Sequence, residues 1–130
     1  MNDDKFGDLI IFFNGEFVPW SEAKVHVFSP AVKYGASVFE GIRGYWNENK
    51  EKLFLFRLDE HMARIEFSQR VMRFGEIAPA GLLCDATVKL IQKNNFRCSV
   101  HIRPTVYLDG IGESSARAPI GQFITAIPRG

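Results

Sequence analysis

Arg97-Cys98-Ser99-Val100-His101-Ile102-Arg103-Pro104-Thr105-Val106-Tyr107-Leu108 alternates without a break. Cys98, Val100, Ile102, Pro104, Val106 and Leu108 share one side; Ser99, His101, Arg103, Thr105 and Tyr107 share the other. Successive strand side chains point to opposite faces, so the spacing predicts a strand over 97–108 with one face on a core. A sheet wet on one side is built from antiparallel neighbours, and the flanking sequence supplies them. Downstream, Asp109-Gly110-Ile111-Gly112 opens a polar loop and 122–127 reads as a strand. Upstream, 38–46 reads as one strand, Asn47-Glu48-Asn49-Lys50 as a turn and 52–56 as its partner. Leu9-Ile10-Ile11-Phe12-Phe13 meets Asn14-Gly15, a pair that tolerates the positive φ of a tight hairpin, and 16–20 should return beside it. Pro19 belongs at an edge or a strand end because it cannot donate to a ladder.

Two segments carry helical spacing instead. Asp59 is a good N-cap, and Leu58, Met62, Ile65 and Met72 recur on one side through about Phe74. Pro79 suits the first turn of a second helix with Leu82, Leu83, Ala86, Leu90 and Ile91 as its stripe and Asn94-Asn95 at its end. The stretch 21–28 is mixed and Pro30 interrupts it, so it is expected to be irregular, with room for one short strand. The expected fold is α+β, a mostly antiparallel sheet packed with two helices.

Length and composition bound what such a domain can be. At 130 residues and 46% hydrophobic, with twelve Phe, there is core enough for one domain and no case for a disordered chain. Sixteen basic against fifteen acidic residues argue against a nucleic-acid or anionic-membrane partner. Cys84 and Cys98 have no spacing typical of zinc or a disulfide framework. The polar, acidic start is no secretory signal and no apolar run is long enough for a bilayer span, so a soluble, cytoplasmic domain is expected. There is no glycine-rich phosphate loop, no His-x-x-x-His or Cys-x-x-Cys pair and no serine elbow, so no metal site is expected.

Three groups carry candidate chemistry. Phe39, Gly41, Arg43 and Tyr45 fall on one side of their strand: an aromatic, a bare backbone, a cation and a phenol could line a small-molecule pocket, or be an ordinary half-exposed strand. On His101-Arg103-Thr105-Tyr107, Arg103 could receive a carboxylate with its planar fork, or the face could simply meet water. On the first helix, Arg64 either pairs with Glu60 four residues before it or points at a phosphate. His61 and His26 read as packed or capping residues. These patterns name no reaction.

The runs 13–20, 23–27 and Tyr34-Gly35-Ala36-Ser37-Val38-Phe39-Glu40-Gly41-Ile42-Arg43, then 56–64, Ile102-Arg103-Pro104 and Ala126-Ile127-Pro128-Arg129-Gly130, resemble the N-terminal part of branched-chain amino acid aminotransferases. These are pyridoxal-phosphate enzymes of fold type IV. The resemblance implies that Arg64 holds the cofactor phosphate and that Phe39, Gly41 and Arg43 line the substrate pocket. Arg103 would lie near the substrate carboxylate, and His101 two residues before it. Tyr34 would cross a dimer interface into the neighbouring site, and the 109–118 loop would close over substrate from the partner. It implies a homodimer or higher homo-oligomer acting on amino acids and 2-oxo acids in branched-chain amino acid biosynthesis: an amino group moves from Leu, Ile or Val to 2-oxoglutarate.

Branched-chain members usually carry tyrosine where His101 stands. D-amino acid transaminases, (R)-selective amine transaminases and aminodeoxychorismate lyases therefore stay open. The family also needs a lysine that links to the cofactor and moves the substrate's α-proton. Lys5, Lys24, Lys33, Lys50, Lys52, Lys89 and Lys93 match no such position. With the last strand running straight into Pro128-Arg129-Gly130, residues 1–130 are expected to be the small domain of a longer enzyme, inactive alone. A non-catalytic ligand-binding or dimerisation module is the alternative.

Overall fold

The computed structural model describes residues 6–111, 115 and 117–129. They run β1 (Ile10–Phe13), β2 (Glu16–Pro19), a 3₁₀ turn (Trp20–Glu22), α1 (Pro30–Tyr34), β3 (Ser37–Phe39), β4 (Ile42–Asn47), β5 (Lys52–Leu55), α2 (Leu58–Val71), α3 (Ala80–Asn94), β6 (Val100–Leu108) and β7 (Ile120–Pro128). The strands form one sheet in the order β2-β1-β7-β6-β4-β5, with β3 also on β6. Every strand pair is antiparallel. The α+β expectation holds.

β6 is the organising strand. Val100, Ile102, Val106 and Leu108 of its apolar side are buried and meet Ile42, Ile124 and Ala126 of its neighbours. Met62 and Ile65 of α2 and Leu83, Ala86 and Leu90 of α3 close the core over them. Each large aliphatic side chain buried this way contributes roughly 1.5–3 kcal/mol. Two amide side chains each bond a backbone N–H and C=O together, as a ladder would, one within the helical layer and one from helix to sheet. Gln69 does so with Ala78, and Asn94 with Ile10.

The expected strand 38–46 is interrupted at Glu40 and Gly41. The register runs on across the gap, from Phe39↔Thr105 to Ile42↔Ile102, so Glu40 falls opposite Pro104. The Glu40 N–H donates to Pro104 O at 3.1 Å, but proline has no N–H to return. The ladder therefore loses a rung without losing its alternation.

The helix ends also differ from expectation. Arg57, in the left-handed region at φ 56°, caps α2, and Asp59 lies inside the first turn. Glu66 of α2 caps α3, accepting the Ala80 N–H at 2.7 Å, because Pro79 offers no side-chain acceptor. Leu82 and Met72 are exposed, and Thr87 takes a buried place on α3. Cys98 is exposed and precedes the strand, which begins at Val100. No strand occupies 23–29; instead α1 follows at once. Its signals were Ser29 accepting from Val32 N, Pro30 in the first turn and Gly35 at φ 67°. The Asn14-Gly15 hairpin forms as read, at φ 50° and 89°. The polar face of β6 is only partly wet, since Thr105 and Tyr107 are buried.

Tyr107 lies flat over Gly121, where an added Cβ would fall 2.2 Å from the ring carbon Cζ. The Asn14 amide donates to its hydroxyl at 3.2 Å. Gly121→Ala is therefore expected to lower stability by about 1–3 kcal/mol through overpacking, as measured by chemical denaturation. An unchanged midpoint would mean the ring has somewhere to go.

Candidate functional site

Register lays out the sheet face away from α2 and α3 as a grid. Arg43, His101 and Ile127 form one row. The next holds Gly41, Arg103 and Thr125, with Gly41 placed opposite Arg103 by the continued register. Phe39, Thr105 and Phe123 form the row beyond. The Arg103 guanidinium lies 4.1 Å over the Phe39 ring and that of Arg43 lies 5.6 Å over Tyr45, both within cation–π range. A Cβ at Gly41 would meet His101 Cε1 at 3.3 Å, so the imidazole sits against bare backbone there.

Arg129 extends this patch. Its N–H bonds Ser99 O at 2.9 Å, and with Arg43, Tyr45, Cys98, Ser99 and Pro128 it lines a hollow of about 480 Å³. Burial lowers the His101 pKa from its ordinary value, and the charges of Arg129, Arg43 and Arg103 lower it further. An apolar hollow of about 310 Å³ farther along the face, lined in part by Phe13, Trp20 and Phe123, holds no titratable group.

The second constellation lies on the helix side. Glu40 points away from Phe39 and Gly41, and its side chain is only 4% exposed. Arg64 donates to it from Nε, at 2.9 and 3.1 Å to the two oxygens, and from Nη2 at 2.8 Å. His61 Nδ1 lies 2.8 Å from Oε1. Burial alone would push the Glu40 carboxyl up; the hydrogen bonds from Arg64 and His61, and their charges, hold it below the ordinary glutamate value. Arg64 stays 66% exposed. Its end-on edge, Nη1 with the outer hydrogen of Nη2, has no partner among the described residues, and it matches two oxygens of an anion.

Five of the predicted site residues thus share a face: Phe39, Gly41, Arg43, His101 and Arg103. Arg64 approaches the same strand from the other side. At 39–42 that strand's far edge has no partner among the described residues, because β5 pairs only from Gly44 onward. Tyr34 ends α1, exposed, with Lys33 Nζ 5.1 Å over its ring, and has no hydrogen bond or ring contact with those five. In the 109–118 loop, residues 112–114 and 116 lie outside the described residues, as does Gly130. The Glu60–Arg64 pair does not form: Glu60 lies 3.8 Å from Arg57, and Arg64 goes to Glu40. Sequence reasoning missed Glu40, His61 and Arg129 as partners. Only Glu40 carried a signal, a carboxylate at a core-facing position between apolar neighbours.

No protein-family profile matches the chain. Individual proteins do. The chain is 44% identical over 102 residues to the branched-chain-amino-acid aminotransferase of Salmonella typhimurium, a match covering 78% of this chain and 32% of that protein. It resembles the crystal structure of a branched-chain aminotransferase from Thermoproteus uzoniensis with norvaline, at TM-score 0.86 and 36% identity, covering 95% of this chain and 42% of that one. It also resembles the Thermobaculum terrenum enzyme in its PLP-form, at TM-score 0.82 and 31% identity over 95% of this chain and 41% of that one. The chain spans about a third of the length of the curated relatives it matches.

A histidine with a lowered folded pKa resists protonation more when folded than when unfolded. Its contribution to stability is full above the ordinary value of about 6.5 and is lost as pH falls through the folded value. An NMR titration of His101 should give a midpoint below that ordinary value, and Arg129→Gln should move it upward. A midpoint that ignores the substitution would remove Arg129 from the cluster.

Proposed function

We infer that this chain, whose sequence and fold resemble those of branched-chain-amino-acid aminotransferases, is the N-terminal small domain of an enzyme of that family and supplies the phosphate grip and one substrate wall of a pyridoxal-phosphate transaminase. The full enzyme moves an amino group from a branched-chain amino acid to 2-oxoglutarate. The observation that carries this reading is Arg64, fixed side-on by a buried carboxylate and open at the edge that suits a phosphate.

When bound, pyridoxal phosphate supplies the aldehyde carbon and electron sink that the chain's side chains lack. The residues present fit that group. Arg64 holds its phosphate. Phe39, Gly41 and Arg43 shape the wall beside it, and Arg103, braced on the Phe39 ring, orients a substrate carboxylate. His101, whose pKa burial and the neighbouring arginines hold below the ordinary histidine value, offers a hydrogen bond on the same wall, where the family resemblance leads one to expect a phenol. The linking lysine and the ring-nitrogen acid belong to the rest of the enzyme, so residues 1–130 do not catalyse alone.

Assembly as a cytoplasmic homodimer or larger homo-oligomer belongs to the same reading. What supports a partner is the cluster Val27, Phe28, Val32 and Tyr34, each more than half exposed, an apolar surface of the kind an interface covers. Tyr34 would then reach the neighbouring site.

Arg64→Ala in the full-length enzyme is expected to weaken pyridoxal phosphate binding by roughly 10- to 100-fold, the usual effect of losing charged hydrogen bonds, read from the cofactor's absorbance. Undiminished affinity would end the assignment. The 130-residue chain alone should show no transamination of leucine; turnover by it would place the reactive lysine among the seven it carries.

A further inference from the structure

We propose that Glu40 is the positioning residue of this phosphate site: its buried carboxylate holds the Arg64 guanidinium so that the end-on edge is already aimed when the anion arrives. This rests on the reading of Arg64 above and adds a residue which that reading does not use.

An arginine on an exposed helix face samples many rotamers, and ordering it on binding weakens affinity. Here the ordering is done beforehand by two positions fixed in the fold. Arg64 stands in the second turn of α2. Glu40 stands 24 residues earlier in the break between β3 and β4, with its backbone held by the 3.1 Å bond to Pro104 O. Three hydrogen bonds of 2.8 to 3.1 Å join the two side chains. His61, one turn before Arg64 on the same helix, lies 2.8 Å from Oε1, the oxygen that Arg64 also holds. A bidentate pair of this kind fixes the plane of the guanidinium as well as its place.

The same contact has an opposing effect. An ionised Glu40 cancels the charge of Arg64, so the pair carries no net charge towards an incoming phosphate. Glu40→Gln would leave one positive charge. If charge governs, that substitution tightens phosphate binding; if positioning governs, it weakens it. The sign of the change separates the two.

The test uses the full-length protein freed of cofactor. Dissociation constants for pyridoxal phosphate and for unphosphorylated pyridoxal are read by absorbance for wild type, Glu40→Gln, Arg64→Ala and the double variant. We expect Glu40→Gln to weaken pyridoxal phosphate roughly tenfold, the size of one charged hydrogen bond. Pyridoxal should be unaffected, and Glu40→Gln should change nothing once Arg64 is gone. Equal or tighter binding of pyridoxal phosphate by Glu40→Gln overturns the proposal. So does an equal loss for pyridoxal, or a loss that persists in the Arg64→Ala background, since either marks a merely structural role. If Arg64→Ala itself leaves pyridoxal phosphate affinity intact, the underlying reading of Arg64 fails first. Should Glu40→Gln not fold, Glu40→Asp keeps the charge but shortens the reach. It should weaken pyridoxal phosphate and spare pyridoxal, and wild-type affinity in it overturns the proposal.

Discussion

A carboxylate taken out of water must be paired, and Glu40 is paired twice. Desolvation on this scale costs several kcal/mol unless hydrogen bonds and opposite charge offset it. Arg64 supplies both and His61 adds a further hydrogen bond, and the two come from consecutive turns of one helix. The pairing therefore ties the face of α2 to the break between β3 and β4 beside the central strand β6. Met62 and Ile65, the neighbours of those two residues in sequence, point into the core from the same helix. Apolar burial supplies the adhesion between helix and sheet; the ion pair selects which residues meet.

That selection has a counterpart in the backbone. Pro104 cannot donate, so Glu40 lies at the one rung where the strand is held to β6 by a single bond. Gly41 follows, lacking a side chain, with the His101 ring against it. Missing donor, missing side chain and buried charge thus coincide within two residues. On one side of that point lies Arg64, its guanidinium paired with Glu40 and still largely exposed. On the other lie the cations of the open sheet face, Arg43, Arg103 and Arg129, grouped around the His101 imidazole, whose pKa is lowered first by burial and then by their charges.

The alternation of 97–108 already implied the sheet, and the apolar periods from Leu58 to about Phe74 and from Leu82 to Ile91 implied the helices, because burial on one face leaves its period in the sequence. The turn chemistry of Asn14-Gly15 was equally local. Phe39, Gly41, Arg43, His101 and Arg103 could be placed on shared faces from alternation alone. Their resemblance to a known enzyme family was carried by residues in order along the chain.

What those residues could not reveal were pairings between distant positions. Glu60, four residues from Arg64, was the partner that helix geometry offered; Glu40, on another element, is the partner that packing chose, because a buried carboxylate gains more from the guanidinium than an exposed one does. Arg129 reaches the cation face only because β7 lies beside β6. Composition, periodicity and turn type belong to neighbours in sequence, so the chain determined them by itself. Which charges meet depends on how strands and helices close on one another, and only the folded structure decided that.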